Sequence, residues 1–331
     1  MNDTHARSAV KALRIGLFVL GAVLLGVLVA RNEPAAIFSA IGRLSWRLGV
    51  LVCFPFVLVA IFDTLGWRYA FRRNRVGFGT LLWVRLAGEA VNMSTPTAAL
   101  GGEAVKAWLL RGHLPFHESI SSVIVAKTTI TIAQGLFLVV GVVLAWIIVL
   151  PGMLLYGMLW LLGLEVVALA VFVVAQTRGM FGWSTWLLDR MRMRSVRLGD
   201  ALSRVDQGLA WFYRREPRRL FLSITFHFVA WLLGTVEAYL ILRFLGVIVS
   251  LSTAAVIEAF ATAIRVATFL IPASVGTLEV GYVATFGALG LGSTAGLAFG
   301  LTRRVREITW VAVGLIILAV MRRAPHGAVR G

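Results

Sequence analysis

The sequence predicts an all-α polytopic membrane protein, and three observations lead to that fold class. First, 59% of the 331 residues are hydrophobic and 14% are charged, whereas soluble chains average about 45–50% apolar and about 25% charged residues. Second, the apolar residues form long runs, and crossing a bilayer takes about 20 of them. Third, the basic residues behind the net charge of +17 lie between these runs. That distribution is typical of loops facing anionic lipid and argues against nucleic-acid binding.

The apolar runs divide into full spans and broken segments. Six runs are predicted to be full spans: 13–30, 48–67, 121–150, 153–175, 220–242 and 294–321. Trp46 and Trp67 bracket the second run, as aromatic anchors at the two membrane interfaces would. The first run follows Arg7, Lys11 and Arg14 in the manner of a signal peptide, but no small-residue cleavage site follows it. We therefore expect it to be a retained span.

Two further apolar segments, 80–110 and 253–290, are interrupted near the middle and are predicted to be re-entrant pairs of half-helices. The residues expected to form the breaks are Pro96, Gly101, Gly102, Pro272 and Gly276. Proline ends a helix because it lacks an amide donor, and glycine allows the tight turn that follows. Non-helical backbone at membrane depth persists only where protein buries it or where it lines a wet cavity.

The charge of the loops predicts the orientation. Ten arginines lie in the basic loop 178–219, and basic residues also lie near both termini and in 68–85, whereas 150–153 and 244–253 carry no charge. By the positive-inside rule, both termini and the basic loop are cytoplasmic. We therefore expect a multi-pass protein of the bacterial inner membrane. Three arginines in 31–47 oppose this orientation.

The basic loop carries a helical stripe. Its apolar members are Leu198, Leu202, Val205, Leu209 and Phe212, at alternating spacings of four and three. Two interpretations remain open from the sequence. The stripe belongs either to a helix lying in the anionic lipid interface or to a connector packed on the helix bundle.

An internal repeat relates the two broken segments. Pro96 and Glu103 are seven residues apart, and so are Pro272 and Glu279. The offset between the pairs is the same for both residue types, since 272 − 96 and 279 − 103 are each 176. Several matches at one offset indicate a duplicated unit.

The same offset extends beyond the breaks. It relates Lys127 to Arg303, and each of these interrupts a long apolar run. We therefore divide the chain into a first membrane repeat, 1–150, and a second, 151–331, which includes the basic loop. With the predicted orientation the second repeat is inverted. Inverted repeats with broken helices at corresponding positions indicate a transporter-like fold with a binding site at the membrane midplane.

Charged and polar residues beside the breaks are the candidate substrate site. The predicted cavity-lining residues are Asn92, Glu103, Lys127, Arg265, Glu279 and Arg303. Lys127 and Arg303 are expected to hold a lipid phosphate, and the two glutamates a cationic group or a proton, because half-helix termini and buried charges mark ligand sites. The structural alternative is self-capped hairpins and mutual ion pairs, such as Arg303 with Glu307 at i,i+4.

The other motifs predict packing rather than chemistry. Gly292, Gly296 and Gly300 form a small-residue stripe, which indicates close helix packing or a homodimer face. His113 and His117 have a proline between them, so a metal site is not expected. No nucleotide-binding or hydrolase motif is present. We expect no cofactor and no enzymatic activity, unless carboxylates within the membrane supply it.

The motifs around both breaks resemble the lysylphosphatidylglycerol-synthase transmembrane family, also called flippase-like membrane proteins. The resemblance spans 13–321 and rests on Asn92…Pro96…Gly101-Gly102-Glu103…Arg111 and on Pro272-Ala-Ser-Val-Gly276-Thr-Leu-Glu279…Gly290…Arg303. Val275 replaces a glycine common in that family. Within it, the chain is most similar to the hopanoid-biosynthesis-associated subgroup. The aminoacyl-transferase domain of the founding members is absent.

This resemblance implies a lipid-related role. The leading hypothesis is an inner-membrane translocator of a lipid or a lipid-linked head group, whose partners are membrane lipids with anionic or polar heads. The alternative is a non-transporting accessory protein that docks a lipid-biosynthetic enzyme, for example of hopanoid synthesis, through the basic loop. A third hypothesis is an intramembrane head-group transferase.

Overall fold

The protein is an all-α membrane protein, as the sequence predicts. The computed structural model describes residues 19, 23, 25–31, 34–42, 44–95, 100–148, 152–178, 196–268 and 271–323, and this part of the chain contains helices and no strand. The α-helices are α1 Pro34–Gly42, α2 Trp46–Tyr69, α3 Phe78–Ser94, α4 Gly101–Leu109, α5 Phe116–Ile148, α6 Met153–Arg178, α7 Val196–Arg215, α8 Pro217–Phe244, α9 Leu251–Ala267, α10 Thr277–Ala288 and α11 Ser293–Arg323.

Four helices of the described part are long and apolar enough to cross a bilayer. They are α2, α5, α8 and the stretch Leu155–Arg178 of α6, and they coincide with four of the six predicted spans. The predicted span 294–321 also forms one helix, α11, but four charged side chains interrupt its apolar run. The predicted span 13–30 lies largely outside the described residues, so six full spans stay a prediction.

Each of the two broken segments forms two separate helices. In the first, α3 ends at Ser94 and α4 begins at Gly101; Pro96 lies outside the described residues. In the second, α9 ends at Ala267 and α10 begins at Thr277 after a 3-10 turn over Pro272–Ser274. Gly276 has φ +79° there, a backbone conformation that suits glycine. Entry and exit on one membrane side stay a prediction for both segments.

The helix bounds of the two halves correspond at the offset of 176 residues. Helix α4 begins at Gly101, and 101 + 176 is 277, where α10 begins. Helix α5 covers 116–148, which maps to 292–324, beside 293–323 for α11. Helices α2 and α3 map onto α8 and α9 within a few residues. These matches between helix bounds favour a duplication, in addition to the matching sequence motifs.

The packing of the helices repeats in the same way. Helix α2 contacts α3 and α5, as α8 contacts α9 and α11. Helix α3 of the first half packs on α11 of the second, and α9 packs on α5. Helices α2 and α8, which correspond to each other, meet at the interface of the halves. This pattern has the form of a pseudo-two-fold arrangement, while inversion across the membrane stays a prediction.

Helix α7 packs on the bundle. Val205, Leu209 and Phe212 of its apolar stripe are buried in a cluster with Trp67 and Phe71 of the first half. Because the bundle already covers this face, the structure favours the packed connector over a helix lying in the lipid interface. Residues 179–195 of the basic loop lie outside the described part.

The glycine stripe of α11 is used within the chain. A Cβ atom at Gly296 would lie 2.8 Å from the Tyr282 carbonyl oxygen, and one at Gly300 would lie 2.9 Å from the Tyr282 ring. Both glycines are buried against α10, whereas Gly292 is exposed at the start of the helix. The close packing expected of the stripe therefore joins two helices of one chain at Gly296 and Gly300, and a homodimer stays a prediction.

Candidate functional site

Charged side chains within the bundle form one group beside each break. The group of the second half combines four arginines with four glutamates, and its members come from α8, α9, α10 and α11. They are Arg265, Arg303, Arg304, Arg306, Glu237, Glu258, Glu279 and Glu307. Its formal charge is zero, which is how a bundle interior tolerates so many ionised groups.

Arg303 lies at the centre of this second-half network. Its two terminal nitrogens donate to both carboxylate oxygens of Glu258, at 2.5 and 3.0 Å, and one of them also donates to the Tyr282 hydroxyl at 3.0 Å. The predicted pair with Glu307 is wrong. Glu307 instead accepts from Arg265 at 3.0 Å and from Arg304 at 2.8 Å. Both residues face α9, and each finds an oppositely charged partner there, since Glu258 and Arg265 lie seven residues apart on that helix.

Glu279 closes the second break. It is completely buried, accepts from the Gly276 backbone N–H at 2.8 Å and accepts from Arg304 Nε at 2.6 Å. Arg304 also donates to the carbonyl oxygens of Ala273 and Ser274, at 2.7 and 3.2 Å. The turn, the start of α10 and the side of α11 are thus joined by hydrogen bonds from within the chain.

The first break has a more open arrangement. The Asn92 carbonyl oxygen accepts from the Gly102 N–H at 2.7 Å, and its amide donates to Glu103 at 3.3 Å. Lys106 donates to Glu103 at 3.0 Å and lies 4.0 Å from Glu89. The Glu89 side chain is 42% exposed and that of Glu103 is 16% exposed. Polar groups of the first half therefore reach the surface of the bundle.

Glycine is required where the two helices of the first hairpin cross. A Cβ atom at Gly102 would lie 2.0 Å from the Gly88 carbonyl oxygen and 2.5 Å from the Asn92 side chain. Both obstacles are close to the backbone and cannot move aside. The two glycines thereby bring α3 and α4 close enough for Asn92 to cap the start of α4.

Lys127 is the exception among the predicted cationic residues. It is exposed on α5, and its ammonium forms no hydrogen bond or salt bridge with any residue in the described part of the chain. It lies 11 residues after Phe116, or about 16 Å along the helix at 1.5 Å per residue. Its repeat counterpart, Arg303, is buried and paired. The two positions are therefore equivalent in sequence and different in environment.

A further buried polar group was not predicted. Asp63 of α2 accepts from Arg85 of α3 at 2.5 Å and lies 2.7 Å from Nδ1 of His227 on α8. His227 packs directly on Gly66, where a Cβ atom would overlap the imidazole ring. An aspartate inside the apolar run 48–67 was the available signal. It identifies a buried charge, but nothing in the sequence indicates its partners.

A groove runs between α4 and α11. Val105, Trp108, Leu318 and Arg322 line this space of about 210 Å³. Three of the four side chains are apolar or aromatic, and the arginine lies near the end of α11. No cluster of three or more metal-ligating side chains occurs within the described ranges.

Comparison with known proteins identifies the family. The model of the family described as lysylphosphatidylglycerol synthase TM region matches residues 12–316. The chain belongs to this family. It is also 24% identical over 326 residues to a UPF0104 membrane protein of Methanothermobacter thermautotrophicus. This match covers 92% of this chain and 94% of the relative. No solved structure matches the chain. A membrane lipid-related role is consistent with the lysylphosphatidylglycerol synthase TM family, whereas the similarity to a hopanoid-associated subgroup stays a prediction.

Proposed function

We propose that this protein translocates a lipid with an anionic head group between the leaflets of the inner membrane. The observation that carries the proposal is Lys127, an exposed ammonium that forms no ion pair within the described residues, on an apolar helix long enough to cross the bilayer. The hydrocarbon layer is about 30 Å thick, and the 33 residues of α5 span about 50 Å at 1.5 Å per residue. Lys127 lies within the apolar run that begins at 121, about 9 Å along the helix from the start of that run. A cation at the centre of a spanning helix costs about 2.5–3.5 kcal/mol on the insertion scale, and one nearer the interface costs less.

An anionic head group would offset that cost. A lipid phosphate approaching α5 from the surrounding leaflet would accept hydrogen bonds from the ammonium, and such charge-assisted bonds are the stronger class. The neighbouring hairpin offers a further hydrogen-bond donor in the Asn92 amide. The apolar groove between α4 and α11 supports the same proposal, because a lipid crossing the bilayer needs cover for its acyl chain as well as its head.

The two halves then have different roles. The second break is closed by Arg304 and Glu279, and Arg303 is neutralised by Glu258, so the second half serves as a rigid support. Head-group contacts fall to Asn92, Glu103 and Lys127 in the first half. The sequence predicts three substrate-binding residues from each half. The proposal keeps only the three of the first half.

The test is translocation in reconstituted vesicles. Protein in vesicles of phosphatidylcholine with a minority of phosphatidylglycerol should move a fluorescent phosphatidylglycerol between leaflets. Lys127→Gln should lower that rate about tenfold or more, since a hydrogen bond to a charged group contributes about 1.5–3 kcal/mol, while Lys127→Arg should keep most of it. Arg243→Gln removes an exposed charge at the end of α8 and is the matched control. Equal rates for wild type and Lys127→Gln would refute the proposal.

The accessory role remains the second candidate, because α7 presents an exposed polar face that nothing in the described chain covers. This face includes Asp200, Ser203, Arg204 and Gln207. If the protein docks a lipid-biosynthetic enzyme there, Arg204→Glu should lower that enzyme's product in cells and Lys127→Gln should not. The translocator proposal expects the reverse pattern in vesicles.

A further inference from the structure

Glu165 is unlike the other acidic residues of the bundle. It is 4% exposed, and both of its carboxylate oxygens are buried without a hydrogen-bond partner among the described residues. The remaining acids that the structure describes within the bundle each lie within 4.0 Å of a basic side chain, and they are Asp63, Glu89, Glu103, Glu237, Glu258, Glu279 and Glu307. Glu165 is therefore buried like most of these acids, but no basic side chain of the described residues neutralises it.

Its position is near the middle of the membrane. Glu165 lies ten residues from Leu155 and 13 from Arg178, the two ends of the span, or about 15 and 20 Å along the helix. The exposed face of α6 carries Trp160, Leu164 and Val167. The opposite face carries Leu155, Met158, Leu162 and Glu165, which follow one another at helical spacing. The Glu165 carboxyl group therefore points into the protein.

In the described part of the chain, the helices that pack on α6 form no ion pair with Glu165. They are α5, α7 and α9. Their described titratable and charged side chains are His117, Glu118, Lys127, Asp200, Arg204, Asp206, Tyr213, Arg214, Arg215, Glu258 and Arg265. Of the two on α9, Glu258 is held by Arg303 and Arg265 by Glu307.

An ionised carboxylate without a partner in an apolar interior is far less stable than the neutral acid. We infer that Glu165 is a membrane-embedded proton-binding site, and that its protonation and deprotonation couple the lipid translocation proposed above to the proton gradient. In the conformation described here the group holds a proton. The proton leaves when α6 moves enough for water or a base to reach the carboxyl group, and another proton binds from the opposite side. This inference rests on the proposed function only for its coupling step.

The proton site is tested without any transport assay. Infrared spectra of the full-length protein in lipid nanodiscs at neutral pH should contain the C=O stretch of a protonated carboxylic acid. Glu165→Gln and the apolar Glu165→Leu should each lose that band. Glu118→Gln, which alters a partly exposed glutamate paired with Arg75 at the start of α5, should keep it. Two different substitutions guard against one that fails to fold. A wild-type spectrum that lacks the band, or variants that keep it, would overturn the proton site.

The coupling step has its own measurement. Vesicles with a gradient of about one pH unit should accumulate fluorescent phosphatidylglycerol in one leaflet by up to about tenfold when one proton accompanies each lipid, because one pH unit is a tenfold ratio of proton activity. Glu165→Gln should abolish this bias while an equal sodium gradient has no effect on the wild type. Translocation that ignores the proton gradient, or that follows sodium, would overturn the coupling. Absence of translocation under every condition, with the infrared band present, would refute the proposed function and leave the proton site standing.

Discussion

Arg304 and Glu279 connect the second break to the long helix beside it. Arg304 Nε donates to Glu279 Oε1 at 2.6 Å, and the same guanidinium binds the carbonyl oxygens of Ala273 and Ser274. The repeat counterpart of Arg304 is Thr128, since 304 − 176 is 128, and Thr128 bonds instead to Gln176 of α6. The two halves therefore have matching helices, but within the described residues only the second break is joined to its long helix by an arginine.

The first prediction separates the two equivalent glutamates. Glu279→Gln should lower the free energy of unfolding by about 3 kcal/mol or more, because it leaves Arg304 partly uncompensated in the interior. Glu103→Gln should cost much less, since its side chain is partly exposed and Lys106 can still approach Glu89. Chemical denaturation in detergent measures both. Equal losses of stability would contradict the assigned difference between the halves.

The second prediction concerns the buried group around Asp63. Asp63→Asn should destabilise the protein by about 3 kcal/mol, because it leaves the Arg85 guanidinium without its charge partner inside the bundle. Asp200→Asn, at an exposed position of α7, is the matched control and should change stability by less than about 0.5 kcal/mol. A tolerated Asp63→Asn would show that the pair contributes little.

The third prediction tests the helix crossing of the first hairpin. Gly102→Ala should destabilise the protein by about 1–3 kcal/mol, because the new methyl group meets the Gly88 backbone and the structure must spread to admit it. Gly135→Ala places the same methyl group in open space on α5 and should be neutral or slightly stabilising, as alanine favours helix. The measurement is the thermal unfolding temperature of both variants. A Gly135→Ala variant that is less stable than Gly102→Ala would contradict the prediction.

The fourth prediction concerns orientation. In a Cys53→Ser background, needed because Cys53 is exposed, Ile248→Cys should react with an impermeant maleimide added outside intact cells. Ile248 is 82% exposed between α8 and α9. Asp200→Cys should react only after the cells are opened, because α7 belongs to the basic loop expected in the cytoplasm. Labelling of Asp200→Cys from outside would reverse the orientation and remove the basis for an inverted second half.

Local features of the sequence were enough to predict the class, four of the spans and the two interruptions. Apolar run length, proline and glycine act within a few residues, so their consequences can be predicted without knowing the fold. The offset of 176 residues was also available, and the start of α10 at Thr277 follows from the start of α4 at Gly101. Asp63 could have been predicted as a buried polar residue on the same grounds, because it is a charge within an apolar span.

The partner of each charge was decided by the tertiary structure. Arg303 and Glu307 have the spacing of a helical pair, yet the rotation of α11 against α9 turns Arg303 towards Glu258 and Glu307 towards Arg265. By itself the sequence determined that charges lie within the membrane and where along the helices they lie, because that depends on composition. Only the packing of helices distant in sequence decided that Arg303 is neutralised, whereas Lys127 is exposed and Glu165 is buried without a partner, because pairing depends on how each helix is rotated against its neighbours.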